Sequence, residues 1–161
     1  MSRDLPKDLN MRCADIMRAN PLTLRDTDSI AQAAETLLAQ RELGIPVVDD
    51  ANCYVGMFGA EALDGLVVPR IALAGNLATN LRFIGDDTHE LTRRFHGLKS
   101  HPVRQAADTS AVVLVPDTPQ IEAFRIFCRN RTPLAVVDPG SRRLLGVVSY
   151  WDVIGAILAD A

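Results

Sequence analysis

Two short stretches decide the fold of this chain: LAVVD at residues 134–138 and LGVV at residues 145–148. Each has an earlier counterpart, IPVVD at residues 45–49 and VGMF at residues 55–58. Short, continuous apolar runs rich in valine are typical of strands that are covered on both faces. Turn-forming residues separate the two stretches of each copy, so each copy predicts two adjacent strands.

The two copies keep a nearly constant spacing along the chain. Asp49 and Asp138 are 89 positions apart, and Gly56 and Gly146 are 90 positions apart. A repeat that stays in register over several elements indicates two copies of one structural unit.

An amphipathic helix is predicted ahead of each strand pair. In the first copy, capping side chains at residues 26–29 precede an apolar face made of Ile30, Ala33, Ala34, Leu37 and Leu38. In the second copy, residues 117–119 combine capping side chains with a proline, and the apolar side comprises Ile121, Phe124, Phe127 and Cys128.

A strand is predicted before each of these helices, at residues 22–25 and 112–115, and a further helix after each strand pair, at residues 60–63 and 150–158. A strand-helix-strand-strand-helix unit of this size cannot bury both faces of its sheet alone, so the two copies should pack sheet against sheet. We therefore expect an α/β (α+β) fold of two β-α-β-β-α repeats with pseudo-twofold symmetry. The expected divisions are a tail at 1–10, a first repeat at 11–66, a helical inter-repeat insertion at 67–99 and a second repeat at 100–161.

The order of these motifs resembles the CBS (cystathionine beta-synthase) domain, in both repeats. The second repeat carries the closing motif intact, as GVVSYWD at residues 146–152. The resemblance implies a regulatory module without catalysis and two clefts between the paired sheets, where adenine occupies an apolar slot. The implied ligand is an adenosine-type nucleotide such as AMP, ADP, ATP or S-adenosylmethionine, and no cofactor is required.

Ser149 and Asp152 are the strongest candidates for ligand contact. A hydroxyl at a strand end and a carboxylate on the next helical turn gather hydrogen-bonding groups and free helix N–H groups around one spot. Carboxylate oxygens accept bonds from ribose hydroxyls, and helix N–H groups favour phosphate. Both residues could equally be ordinary helix caps. The resemblance further implies that they face the other repeat at Asn20, Leu22, Gly44 and Ile45, with Thr132 or Arg131 near phosphate.

The first repeat departs from this motif, because its closing segment reads GMFGAEA at residues 56–62. Gly59 stands at the hydroxyl position and Ala62 at the acidic position, and neither can contact a ribose. Glu61 is rotated by about 100° along a helix and is expected to point elsewhere. We therefore expect one competent cleft per chain. Trp151 is expected to anchor the sheet-to-helix junction, with stacking on a base as the alternative.

The inter-repeat residues carry further signals. Residues 69–74 could start a short helix, and DTHE at residues 87–90 predicts the start of a helix through Phe95 and His96. Leu91, Phe95 and Leu98 would give that helix a face for docking or dimerisation. The histidines at 89, 96 and 101 are too far apart along a helix to share a metal, so no metal site is expected.

Composition argues against several classes of function. The formal net charge is -3, from 17 basic and 20 acidic residues that are well mixed, so no nucleic-acid or membrane partner is expected. The polar N-terminus and the absence of a run of about 20 apolar residues favour the cytoplasm. Three widely spaced cysteines suggest neither a disulfide framework nor a metal pair.

The sequence also lacks glycine-rich phosphate loops and nucleophile elbows, so we expect no enzyme activity. A homodimer and an unidentified protein effector are the expected partners besides the nucleotide. The alternative is a structural, dimerisation or protein-interaction module whose nucleotide sites are degenerate.

Overall fold

The computed structural model describes residues 11–67 and 88–159. The predicted tail at 1–10 and the short helix suggested at residues 69–74 lie outside the described residues. Within the described part of the chain, six α-helices and seven strands follow one another. They are α1 (Cys13–Ile16), β1 (Arg18–Ala19), β2 (Leu24–Arg25), α2 (Ile30–Gln40), β3 (Gly44–Val48), β4 (Tyr54–Gly59), α3 (Ala60–Val67), α4 (Thr88–Leu98), a 3-10 turn (Val103–Gln105), β5 (Val113–Leu114), α5 (Gln120–Phe127), β6 (Leu134–Val137), β7 (Leu144–Val148) and α6 (Tyr150–Ala159).

The strands form two sheets with the same internal arrangement. In one sheet β2 is parallel to β3 and β3 is antiparallel to β4, and in the other β5 is parallel to β6 and β6 is antiparallel to β7. The register shifts at the same point of both hairpins, between Val47 and Val48 and between Val136 and Val137. The predicted mixed α/β fold with two copies of one unit is confirmed.

The two sheets meet through a shared apolar cluster. Val48, Tyr54 and Met57 of the first repeat pack with Ala135, Val137 and Leu144 of the second. Every residue of β3 and β6 is buried, as expected of strands covered on both faces. The tyrosine hydroxyl in this cluster has no hydrogen-bond partner among the described residues, and burial raises the pKa of Tyr54 to about 12.

The first segment of each repeat packs against the sheet of the other repeat. β1 pairs antiparallel with β7, so that Arg18 lies opposite Val147. Correspondingly, Asp108 forms an antiparallel bridge with Met57 of β4. Cys13 is buried in the core of the second repeat, whereas Val103 is buried in the core of the first. Each core is therefore completed by residues from the beginning of the other repeat.

The buried faces of α2 and α5 are narrower than their sequences suggested. Ile30, Ala33 and Leu37 of α2 are buried, but Leu38 is 79% exposed because it is turned about 100° from Leu37. In α5 the buried residues are Ala123 and Phe127, one helical turn apart. The predicted core positions Ile121 and Cys128 are wrong, since both are exposed.

Helix α4 confirms the helix predicted through Phe95 and His96. Phe95 and Leu98 pack against the core of the first repeat, beside Leu63 and Leu66 of α3. The expectation that these two side chains form a face for docking or dimerisation is therefore wrong, because the chain's own core covers them. Among the described helices, none is both long and apolar enough to cross a bilayer.

Candidate functional site

Ser149 and Asp152 bond to each other at the start of α6. The backbone N–H of Ser149 donates to Oδ2 of Asp152 at 2.7 Å, and the backbone N–H of Asp152 donates to Oγ of Ser149 at 3.3 Å. This reciprocal arrangement is a capping box, in which two otherwise unpaired helix N–H groups find acceptors. The sequence alternative of a helix cap is thus realised, and it concentrates a hydroxyl and a carboxylate at one point.

Arg18 joins this point to the first repeat. Its Nε lies 3.4 Å from Oδ2 of Asp152, and its Nη1 lies 3.5 Å from Oε1 of Glu42, which stands between α2 and β3. The Asp152 side chain is 19% exposed and the Arg18 side chain is 48% exposed, so the pair sits at the edge of solvent. Sequence reasoning missed Arg18 and Glu42, because only the pairing of β1 with β7 brings them to Asp152.

A cavity of about 340 Å³ adjoins the capping box and has walls from both repeats. The first repeat contributes Gln40, Arg41, Glu42 and Leu43, and the second contributes Arg131, Pro133, Ser149, Tyr150 and Trp151. Small-molecule sites commonly have volumes of about 300–1,000 Å³. The predicted site residues Arg131 and Ser149 therefore share one concave surface.

Aromatic side chains form part of that cavity's wall. The guanidinium of Arg131 lies 4.0 Å from the ring centroid of Tyr150, in a cation–π contact. The Tyr150 ring makes edge contacts with both Phe127, at 6.4 Å, and Trp151, at 5.3 Å. Trp151 is 76% exposed, so the expectation that it anchors the junction is wrong. Tyr150 takes the inward position, and the next residue along the helix is turned toward solvent.

The remaining predicted site residues are dispersed. The Ile45 side chain is buried in the core of the first repeat. Gly44 is covered by Thr132, whose Cγ2 would lie 2.8 Å from a Cβ at position 44. Asn20, in the left-handed region with φ 51°, and Leu22 are exposed, and neither lines the cavity beside the capping box.

A larger cavity, of about 550 Å³, lies at the closing segment of the first repeat. Its wall includes Gly59, Ala62 and Glu61, together with Asp108 and residues of the second repeat that include Thr132. The expectation that Glu61 points elsewhere is wrong, because the cavity extends along the first turn of α3. Near its rim, Arg125 is paired with Glu122 at 3.0 Å.

Equivalent positions of the two clefts differ in charge. Val147 lies opposite Arg18, and its counterpart 90 positions earlier, Met57, lies opposite Asp108. Asp108 in the cleft of the first repeat thus occupies the position that Arg18 occupies in the cleft beside Asp152. The counterpart of Asp152 is Ala62, so the cleft of the first repeat lacks a carboxylate at the position equivalent to Asp152. The acidic residue in the first turn of α3 is Glu61, one position earlier.

The sequence profile of the CBS domain matches residues 13–64 and 103–159. The chain belongs to the CBS domain family. Its two matched regions form a CBS pair, in which the exchanged leading segments and the two clefts described above are shared between the repeats. A search of curated protein sequences returned no significant match.

Solved structures of CBS pairs have the same fold. CBSX2, a CBS-pair protein from Arabidopsis thaliana, superposes with a TM-score of 0.72 at 21% identity, over 94% of this chain and 96% of that one. CBSX2 in complex with AMP gives a TM-score of 0.67 at 21% identity, over 92% and 97%. The CBS domain pair of MJ0100, in complex with 5'-methylthioadenosine and S-adenosyl-L-methionine, gives 0.61 at 17% identity, over 94% and 98%.

Proposed function

We propose that this CBS pair is a regulatory module that binds an adenosine-type nucleotide in the cleft beside Asp152. The observation that carries the proposal is the Ser149–Asp152 capping box, which borders a cavity lined by both repeats. Structures of the same fold contain AMP in CBSX2 and 5'-methylthioadenosine with S-adenosyl-L-methionine in MJ0100, which supports the adenosine class of ligand.

Each part of the cleft has a chemical role in this proposal. Oδ1 and Oδ2 of Asp152 accept hydrogen bonds from ribose hydroxyls, and the N–H groups at the start of α6 favour a phosphate. Trp151 and Leu43 offer apolar surface for the adenine ring. AMP, ADP, ATP and S-adenosylmethionine all share the ribose and adenine that these groups read. No residue is assigned a catalytic role, and the proposed activity is binding alone.

Binding would act on the relative position of the repeats. Since the cavity wall includes residues of both repeats, a ligand there has different contacts in any other arrangement of the two. A difference in affinity between two arrangements shifts their populations, and a protein effector that senses the arrangement would receive the signal.

Thermal unfolding with a nucleotide panel tests this function. A ligand at 100 times its Kd adds about 2.7 kcal/mol of stability to the folded state, so at least one of AMP, ADP, ATP or S-adenosylmethionine at millimolar concentration should raise Tm by several degrees. Asp152→Ala should remove the shift. Asp117→Ala is the matched control, because Asp117 is an exposed carboxylate near the start of α5 that pairs with Arg12 and has no part in the capping box of Ser149 and Asp152.

Two outcomes would contradict the proposal in different ways. If no adenosine compound shifts Tm of the wild-type protein, nucleotide binding is wrong. If Asp152→Ala and Asp117→Ala both retain the full shift, the ligand binds elsewhere and the site assignment is wrong.

The second candidate function is an interaction module with degenerate nucleotide sites. It is favoured by exposed apolar side chains on α6, namely Trp151, Ile157 and Leu158. We propose that this surface supports a homodimer, which either function can use. Light scattering should then give twice the mass of one chain, and Leu158→Asp should shift the protein toward monomer. A wild-type protein that is monomeric at high micromolar concentration would exclude the dimer.

A further inference from the structure

Arg18 forms an ion pair with the carboxylate that the proposed function assigns to ribose. Its guanidinium lies between Asp152, at 3.4 Å, and Glu42, at 3.5 Å. The neighbouring cavity also presents Arg41 and Arg131. Arg41, Arg131 and Glu42 line the cavity itself, and the pair of Arg18 and Asp152 lies beside it through the contacts of Arg18 with Glu42 and of Asp152 with Ser149. These three basic and two acidic side chains give this region a positive balance.

We infer that Arg18 reads a phosphate of the ligand, so that the Asp152 cleft selects phosphorylated adenosine compounds over S-adenosylmethionine and over adenosine itself. This inference rests on the proposed function and deepens it by naming the ligand class. It assigns a specificity role to a residue that lies outside the Ser-x-x-Asp motif.

The selectivity would arise because a bound ribose replaces Arg18 as the partner of Asp152. A ribose that takes Oδ2 of Asp152 displaces the Nε of Arg18, and Glu42 alone remains near the guanidinium. A phosphate attached to that same ribose restores an anionic partner and can accept two parallel N–H bonds from arginine. Adenosine offers no such anion, and S-adenosylmethionine brings a sulfonium cation toward Arg18, so neither ligand compensates for the lost ion pair.

The other cleft provides an internal contrast. Asp108 holds the position equivalent to Arg18, and Ala62 holds the position equivalent to Asp152. A phosphate placed there in the same orientation would meet a carboxylate instead of a guanidinium, and Ala62 offers a ribose no acceptor at the position equivalent to Asp152. Selection of phosphate by an arginine at this position is therefore confined to the Asp152 cleft.

Fluorescence titration measures this selectivity directly. Trp151 is the sole tryptophan of the chain and lines the cavity, so its emission reports occupancy of this cleft. AMP, adenosine and S-adenosylmethionine would each be titrated into the wild-type protein, Arg18→Met, Arg18→Lys and Arg25→Met. Arg25 is the matched control, because it is an exposed arginine on β2 that pairs with Asp50, whereas Arg18 pairs with Asp152 and Glu42.

The wild-type protein should bind AMP about tenfold more tightly than adenosine, as expected for one charge-assisted interaction. Arg18→Met should weaken AMP binding about tenfold and leave adenosine binding unchanged or slightly tighter, which brings the ratio close to one. Arg18→Lys should restore part of the preference, and Arg25→Met should behave as the wild type.

An AMP-to-adenosine ratio that Arg18→Met leaves unchanged would overturn the inference, as would tighter binding of S-adenosylmethionine than of AMP by the wild type. In both cases the proposed nucleotide function would stand. Failure of these three ligands, and also of ADP and ATP, to bind the wild-type protein, checked by calorimetry, would overturn the inference and the proposed function together.

Discussion

A Cβ atom at position 59 would lie 2.4 Å from the carbonyl oxygen of Leu43. Gly59 ends β4 and lies opposite Gly44, and the N–H of Ala60 donates to the same Leu43 carbonyl at 3.3 Å. This close backbone approach leaves room for glycine alone. The missing hydroxyl in the closing motif of the first repeat is thus tied to the packing of the β3–β4 hairpin.

Restoring the motif by Gly59→Ser should destabilise the protein. The backbone must move to admit the side chain, which costs about 1–3 kcal/mol, and urea unfolding should show a lower midpoint. Gly155→Ala on α6 is the control, since nothing lies within 4 Å of the added Cβ, and it should stabilise by about 0.5–1 kcal/mol. A Gly59→Ser protein as stable as the wild type would contradict this packing.

The capping box at α6 makes a separate contribution to stability. Ser149→Ala removes the acceptor for the Asp152 N–H and should lower the free energy of unfolding by about 1 kcal/mol. Asp152→Asn keeps an oxygen for the Ser149 N–H, so it should cost less than Asp152→Ala. Chemical denaturation of the three variants measures both differences, and equal losses for Asn and Ala at position 152 would contradict the capping role.

The coupling free energy between Arg18 and Asp152 should be small in the absence of ligand. Both side chains are partly exposed, and such pairs contribute about 0.2–1 kcal/mol. A double-mutant cycle with Arg18→Met and Asp152→Asn measures the coupling free energy, which should decrease in high salt. A coupling above about 2 kcal/mol would mean that the pair is a structural lock instead of an exchangeable contact.

The three cysteines should differ sharply in reactivity. Cys13 is buried, and burial raises the pKa of its thiol to about 11, whereas Cys128 is exposed. Since the thiolate is the reactive form, alkylation at pH 8 followed by mass spectrometry should label Cys128 first and Cys13 only after unfolding. Equal labelling of Cys13 and Cys128 in the folded protein would refute this order.

The buried Cys13 thiol should also make stability depend on alkaline pH. Because its folded pKa lies above the ordinary value of 9.0, the full free energy of unfolding is retained below about pH 9, and the contribution of Cys13 is lost as pH rises toward 11.

Protonation of Asp138 should lower the stability of the protein at acidic pH. Hydrogen bonds from the backbone and hydroxyl of Ser141, and from the backbone of Gly140, lower the pKa of Asp138 below its ordinary value of 3.8. The contribution of Asp138 to the free energy of unfolding is therefore present above pH 3.8 and is lost as pH falls through the lower pKa of the folded protein. The Tm difference between wild type and Asp138→Asn should shrink below about pH 4. Asp64→Asn, at an exposed position of α3, should show little difference at any pH.

Local patterns in the sequence predicted the elements well. The valine-rich runs predicted β3 and β6, and Ser29 with Gln32 form the capping box at the predicted start of α2. These features depend on residues a few positions apart, so periodicity and capping chemistry reveal them. The same logic placed Ser149 and Asp152 together at one helix start.

Contacts between distant segments could not be predicted in this way. Arg18 reaches Asp152 only because β1 crosses to the sheet of the second repeat, and no local pattern marks that pairing. Helix orientation was also underdetermined, because Tyr150 and Trp151 are both aromatic and either could have turned inward. The exposed Trp151 and the cavity-lining Glu61 follow from packing that involves the other repeat.

The central claim is that one cleft, built around Asp152, binds the nucleotide. Isothermal titration of AMP, ADP, ATP and S-adenosylmethionine into the wild-type protein measures both affinity and stoichiometry. The account predicts one nucleotide per chain for the ligand that binds, and loss of that binding in Asp152→Ala. Two equivalent sites per chain, or one site that Asp152→Ala leaves intact, would contradict it.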